Sequence, residues 1–234
     1  MKSFLGVAVK GAGVGEARYR RALTAALVVT IGVGGVACGS DSDSQSPHVD
    51  ASQVCDGIFA GRLENTLQAV AGGTLFGRRS ADSVERVIQK IKEGYASDRS
   101  WLTSQKLCEI TVEGESPRDA TVISFSIYAP QDVGDPGDPE GTLRFPLGKE
   151  AVARTRSAGL YFECVSPQVE GSKDRPVRIR GGLGYAEDRG DAVQNLVANL
   201  TVLHAASIAV ARELECEEDG GLPERLSPDL QPLP

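Results

Sequence analysis

Cys108-Glu109-Ile110-Thr111-Val112-Glu113 sets apolar against polar side chains with a period of two, whereas the apolar residues upstream recur every three to four positions. That switch decides the fold class. A period of two sends successive side chains to opposite faces of a strand, so Cys108, Ile110 and Val112 face one way and their polar neighbours the other. The pattern returns at Ile123, Phe125 and Ile127, set between Ser124, Ser126 and Tyr128. Shorter versions stand at Leu143 with Phe145, at Leu160 with Phe162 and Cys164, and at Val177 with Ile179. Each run is brief and bounded by turn-forming residues, which predicts an antiparallel sheet of about five strands with one covered face.

Helical patterns bracket these strands. Cys55, Ile58, Phe59, Leu63, Leu67 and Val70 predict a first helix from near Ser52 to Gly72-Gly73. A second begins at Asp82, with Glu85 completing a capping box, and carries the stripe Val84, Val87, Ile88, Ile91 and Tyr95. A long last helix is capped by Asp191 and Gln194, and Val193, Leu196, Val197, Leu200, Leu203, Ser207 and Ala211 share one face. The fold class is therefore α+β, with the sheet packed against N-terminal helices and a long C-terminal helix. This element order, with an early cysteine (Cys55) in the first helix, resembles the PsbP-like domains of small actinobacterial lipoproteins.

The N-terminus reads as an export signal. Residues 1–21 are net positive and end in Arg18-Tyr19-Arg20-Arg21, and Ala22 to Ala37 then run sixteen residues without a charge. A bilayer span needs about twenty apolar residues, so cleavage is favoured over a permanent transmembrane helix. Gly35-Val36-Ala37-Cys38 puts small residues before a cysteine at the end of the run. This resembles the lipobox of bacterial lipoproteins, with Gly35 standing where leucine is usual. The resemblance implies that residues 1–37 are a signal peptide and that the Cys38 sulfur receives a lipid; the other reading is a plain secretory signal with a chance cysteine. Each buried methylene contributes about 0.8 kcal/mol, so two or three acyl chains retain a domain on the outer face of the cell membrane without a protein span. Residues 39–50 hold almost nothing that can be buried, so 38–50 reads as lipidated cysteine plus flexible tether, 51–216 as one globular domain and 217–234 as a disordered, proline-rich tail.

Composition narrows the partners. The chain carries −7, and residues 1–37 hold five basic side chains and one acidic, so the remainder stands at −11. Such acidity repels phosphate backbones, and nucleic acid is not an expected partner. With Cys38 set aside, Cys55, Cys108, Cys164 and Cys216 form an even set in an oxidising compartment, which predicts two disulfides. Cys55–Cys108 and Cys164–Cys216 each close a loop of about fifty residues. A crossed pairing stays open. Metal ligation is disfavoured, because no two of these cysteines lie two to four residues apart.

No catalytic residue is assigned and no cofactor motif is found: a G-x-S-x-G turn, an S-x-x-K pair and an H-E-x-x-H helix are all absent. Of the two histidines, His48 lies in the tether and His204 at the edge of the last helix's apolar stripe. Asp132, Asp135, Asp138 and Glu140 gather in one loop that reads as a solvated connection rather than a calcium site. Arg175, Arg178 and Arg180 place cations on or near the outer face of one strand, where they either bind an anionic ligand or envelope polymer or guard a sheet edge. Arg189-Gly190-Asp191 spells an adhesion tripeptide, with Asp191 better explained as a helix cap. Together these features describe a membrane-anchored binding or interaction lipoprotein with an envelope ligand or protein partner; the alternative is an atypical envelope hydrolase.

Overall fold

The computed structural model describes residues 48–77, 83–98, 103–134, 140–185 and 192–234. Cys38, the expected signal peptide 1–37 and residues 39–47 of the expected tether lie outside these, as do Asp82, Asp135, Asp138 and Arg189–Asp191. The described chain starts on a strand. β1 (His48–Val49) pairs antiparallel with β2 (Phe76–Gly77), so the last residues of the expected tether dock onto the domain, with Val49 buried. His48 Nδ1 lies 3.5 Å from Glu113 Oε1.

The single helix expected from Ser52 is not formed. The chain makes 3-10 turns at Ala51–Gly57 and Gly61–Leu63, and α-helix only over α1 (Glu64–Ala71). Cys55 and Asp56 take φ of 53° and 57°, followed by Gly57 at 78°, and three left-handed residues in a row cannot continue a right-handed helix. The apolar spacing was real all the same: Cys55, Phe59, Leu67 and Val70 are all buried, but they reach the core from a folded-back chain. Gly72 ends α1 at φ 84°, donating its N–H to the Gln68 carbonyl at 2.8 Å. In α2 (Val84–Ala96) the cap is Ser83, whose side chain accepts from the Arg86 N–H. Val87, Ile88 and Ile91 form its buried stripe.

The main sheet has six strands rather than five. They are β3 (Gln105–Ile110), β4 (Thr121–Ile127), β5 (Leu143–Phe145), β6 (Glu150–Arg154), β7 (Ser157–Cys164) and β8 (Val177–Gly184), in the spatial order β3-β4-β8-β7-β6-β5. All neighbours are antiparallel. The extra strand, β6, alternates Ala151 and Ala153 inward with Val152 outward, and inward alanines carry too little hydrophobic contrast to mark a strand.

α3 (Val193–Glu213) lies across β6, β7 and β8, α2 lies against β3 and β4, and α1 packs on α3. By length and composition α3 could cross a membrane, yet here it is the core helix, with Leu196, Leu200, Leu203, Ala206 and Val210 at or near zero exposure. The close fit of α3 to the sheet depends on Gly181 of β8, where a Cβ would stand 3.0 Å from Ser207 Oγ and 3.1 Å from Leu203 Cδ1. Helices thus cover one face of the sheet.

Two disulfides tie the ends to the sheet. Cys55–Cys108 fixes the N-terminal turns to β3, with Cα atoms 5.6 Å apart, and Cys164–Cys216 fixes the end of α3 to β7, with Cα atoms 5.0 Å apart. Glu217 N–H donates to the Val165 carbonyl at 2.8 Å beside the second bridge. Residues 217–234, expected to trail as a disordered tail, are instead placed against the domain. Leu222 is buried, Leu226 and Leu230 pack on the core, and Leu233 N–H donates to the Arg144 carbonyl of edge strand β5 at 2.7 Å. Their spacing of about four lets an irregular chain return one leucine to the core at each step.

Candidate functional site

On the face of the sheet away from the helices, the register sets outward side chains in rows. One row reads Ser124, Gly182, Gly159, Val152 across β4, β8, β7 and β6. A second reads Val122, Gly184, Ser157, Arg154, and a third Ser126, Arg180, Tyr161, Glu150. In the middle of the first row Gly182 and Gly159 have no side-chain height, so the other two rows become the banks of a groove of about 460 Å³ that Ser124 and Val152 close at its ends.

Arg180 forms one bank. Its Nε donates to the Tyr161 hydroxyl at 3.0 Å, and its guanidinium carbon stands 5.5 Å from the centre of the Tyr161 ring. That brace lays the rest of the fork over the floor. Nη1 and Nη2 each come within 3.7 Å of where a Cβ would stand on Gly182 and Gly159. Tyr128 meets the Tyr161 ring edge-on at 5.1 Å, holding it in place, and burial, aided by the charge of Glu163, pushes the Tyr128 hydroxyl up to about 12. Arg154 stands on the other bank. From ordinary strand spacing and rise, the two arginine backbones are separated by about 10 Å across the sheet and about 13 Å along it. Neither has a carboxylate partner among the described residues, which is unusual in so acidic a chain.

The three arginines singled out in sequence do not converge. Arg175 precedes β8, lies 4.7 Å from the centre of the Tyr95 ring and is paired with Asp98. Arg178 Nε lies 3.8 Å from Glu163 Oε1, a carboxylate that also holds Lys149 at 2.8 Å. Both are committed within the protein, and only Arg180 reaches the groove. Arg154, Tyr161 and the two floor glycines were missed in sequence. The available signal for Arg154 was its place at the end of the alternation Glu150-Ala-Val-Ala-Arg154.

The remaining candidates resolve locally. Asp132 Oδ2 accepts from the Ala129 N–H at 2.8 Å and so caps a turn. No group of three or more metal-ligating side chains is present among the described residues. His204 is only 4 % exposed, inside the packing rather than at its edge, and burial holds its imidazole below the usual range. Ser207, one turn on, donates its hydroxyl to the Leu203 carbonyl at 2.9 Å and has no exposure to solvent. No protein-family model matches the chain, and no curated protein or solved structure does either.

Proposed function

We propose that this chain is a lipid-anchored lipoprotein of the cell envelope, held through Cys38 on the outer face of the membrane, and that it binds an anionic envelope ligand along the uncovered face of its sheet. The anchor rests on the sequence Gly35-Val36-Ala37-Cys38 following an apolar run. The binding role rests on one observation: Arg154 and Arg180 face each other across a glycine-floored groove with no acidic partner among the described residues. A preorganised guanidinium with open N–H groups favours carboxylate or phosphate oxygens, and an open groove accepts an extended chain better than a compact metabolite. The buried, engaged Ser207 beside His204 favours binding over hydrolysis.

Two measurements test this reading. Intact mass of the membrane-extracted protein, taken before and after reduction, gives an acylated species beginning at Cys38 and a gain of four hydrogens. A species beginning at Met1 with an unmodified Cys38 removes the anchor. Titration with anionic and neutral envelope polysaccharides gives salt-sensitive binding to the anionic form alone. Equal binding to both removes the ligand class.

A further inference from the structure

A second pocket, of about 310 Å³, lies in the helical layer, between α3, the turn Gly61–Leu63 and the C-terminal segment. Its apolar wall is Leu63, Ala205, Ile208 and Leu226. Its polar side carries three guanidinium groups, from Arg62, Arg212 and Arg225, against one carboxylate, Glu224. Arg212 is held by Asp219 at 3.1 Å. Arg62 and Arg225 are exposed and have neither an ion pair nor a hydrogen bond among the described residues.

His204 adds an independent observation. It lines the same pocket while being 4 % exposed, and its Nε2 meets no hydrogen-bond partner among the described residues. Buried polar atoms are nearly always paired in folded proteins, so an unpaired imidazole nitrogen on a residue that lines the pocket is a second sign of a hydrogen-bonding ligand. Cations at the rim, an unpaired nitrogen and an aliphatic wall together describe an amphiphile with one acidic head. At about 30 Å³ for each water-sized unit, the volume accommodates a chain of roughly ten heavy atoms. That is small for a phospholipid and right for a medium-length acyl chain.

We propose that this pocket binds a single-chain, acid-headed amphiphile, with the head group between Arg62 and Arg225 beside His204 and the chain along Leu63, Ile208 and Leu226. The site is separate from the sheet groove and stands without it. The head's oxygens satisfy the arginines and the histidine, and the aliphatic wall discriminates against small inorganic anions.

The test uses the full chain in lipid nanodiscs, titrated with octanoate carrying ¹³C at the carboxyl and read by NMR, with empty discs as the blank. A saturable, single-site shift of the carboxyl resonance is expected. R62Q/R225Q, which alters only exposed side chains, weakens it at least ten-fold, while 1-octanol and octyltrimethylammonium fail to compete. Competition by octyl phosphate assigns the head group: displacement at lower concentration than unlabelled octanoate makes it a phosphate, the reverse a carboxylate, and both keep the pocket's ligand class. No saturable shift above empty discs, a shift indifferent to R62Q/R225Q, or displacement by 1-octanol as effective as by octanoate overturns the proposal.

Discussion

Gly181 and Gly182 are neighbours on β8, and they need to be glycine for opposite reasons. On the inner face, a Cβ at Gly181 would press within 3.1 Å of Leu203, Ser207 and Phe125, so packing of α3 excludes it. On the outer face, a Cβ at Gly182 would meet nothing nearer than 3.7 Å. The inner glycine is accounted for by the fold. The outer one is not, and with Gly159 it keeps the floor of the groove low. Comparing the two faces thus separates what the sheet needs to fold from what it holds open.

Substitutions should divide along the same line. Replacing Cys164 and Cys216 together by alanine releases α3 from β7 and is expected to cost about 2–5 kcal/mol, read as a fall in the urea midpoint. A loss under about 1 kcal/mol would mean that the helix is held by packing alone. Gly181→Val overpacks the inner face and should cost about 1–3 kcal/mol by the same assay, with the binding face untouched in chemistry.

The helical layer also carries a pH dependence just below neutrality, through His204. Burial lowers the His204 pKa in the folded chain, so between that value and about 6.5 the unfolded chain binds more protons and stability rises with pH. Acidifying from pH 7.5 to 5.5 should therefore lower the melting temperature, with a slope of at most about 1.4 kcal/mol per pH unit, and His204→Gln should flatten it. An unchanged slope in that variant would place the dependence elsewhere. The smallest effects on stability belong to the groove. Arg180→Gln and Gly182→Val should each stay within about 0.5 kcal/mol of the parent. Both should weaken binding of an anionic polymer about ten-fold, the first by losing the guanidinium and the second by filling the floor. Parental affinity in both would detach the groove from ligand binding.

The layers differed in how much of them could be read from sequence. Strands whose inward residues are large, such as Ile123 with Phe125 and Leu160 with Phe162, announce themselves, because alternation carries contrast only when one side is bulky and apolar. β6 was silent for the reverse reason. The N-terminal helix was over-read, because apolar spacing records which residues reach the core and not the backbone path by which they arrive. Cys55 and Asp56 take left-handed conformations that no period reveals. The tail was under-read, as its prolines and charges masked leucines at 222, 226 and 230. Of the arginines, position along β8 was legible for Arg178 and Arg180. Which of them is neutralised depends on Glu163, at least fifteen residues away in sequence and adjacent only through the pairing of β7 with β8.

The two cystine loops, 55–108 and 164–216, neither overlap nor nest. Cys38 apart, each of the four bridged cysteines joins the next of the four in chain order, so Cys55 and Cys108 are both available before Cys164 is reached. A polypeptide threaded through a translocation pore and oxidised as it exits reaches the native connectivity by pairing in order of arrival. On the proposed export route, with Cys38 acylated, pairing in that order yields the native bridges without catalysed reshuffling.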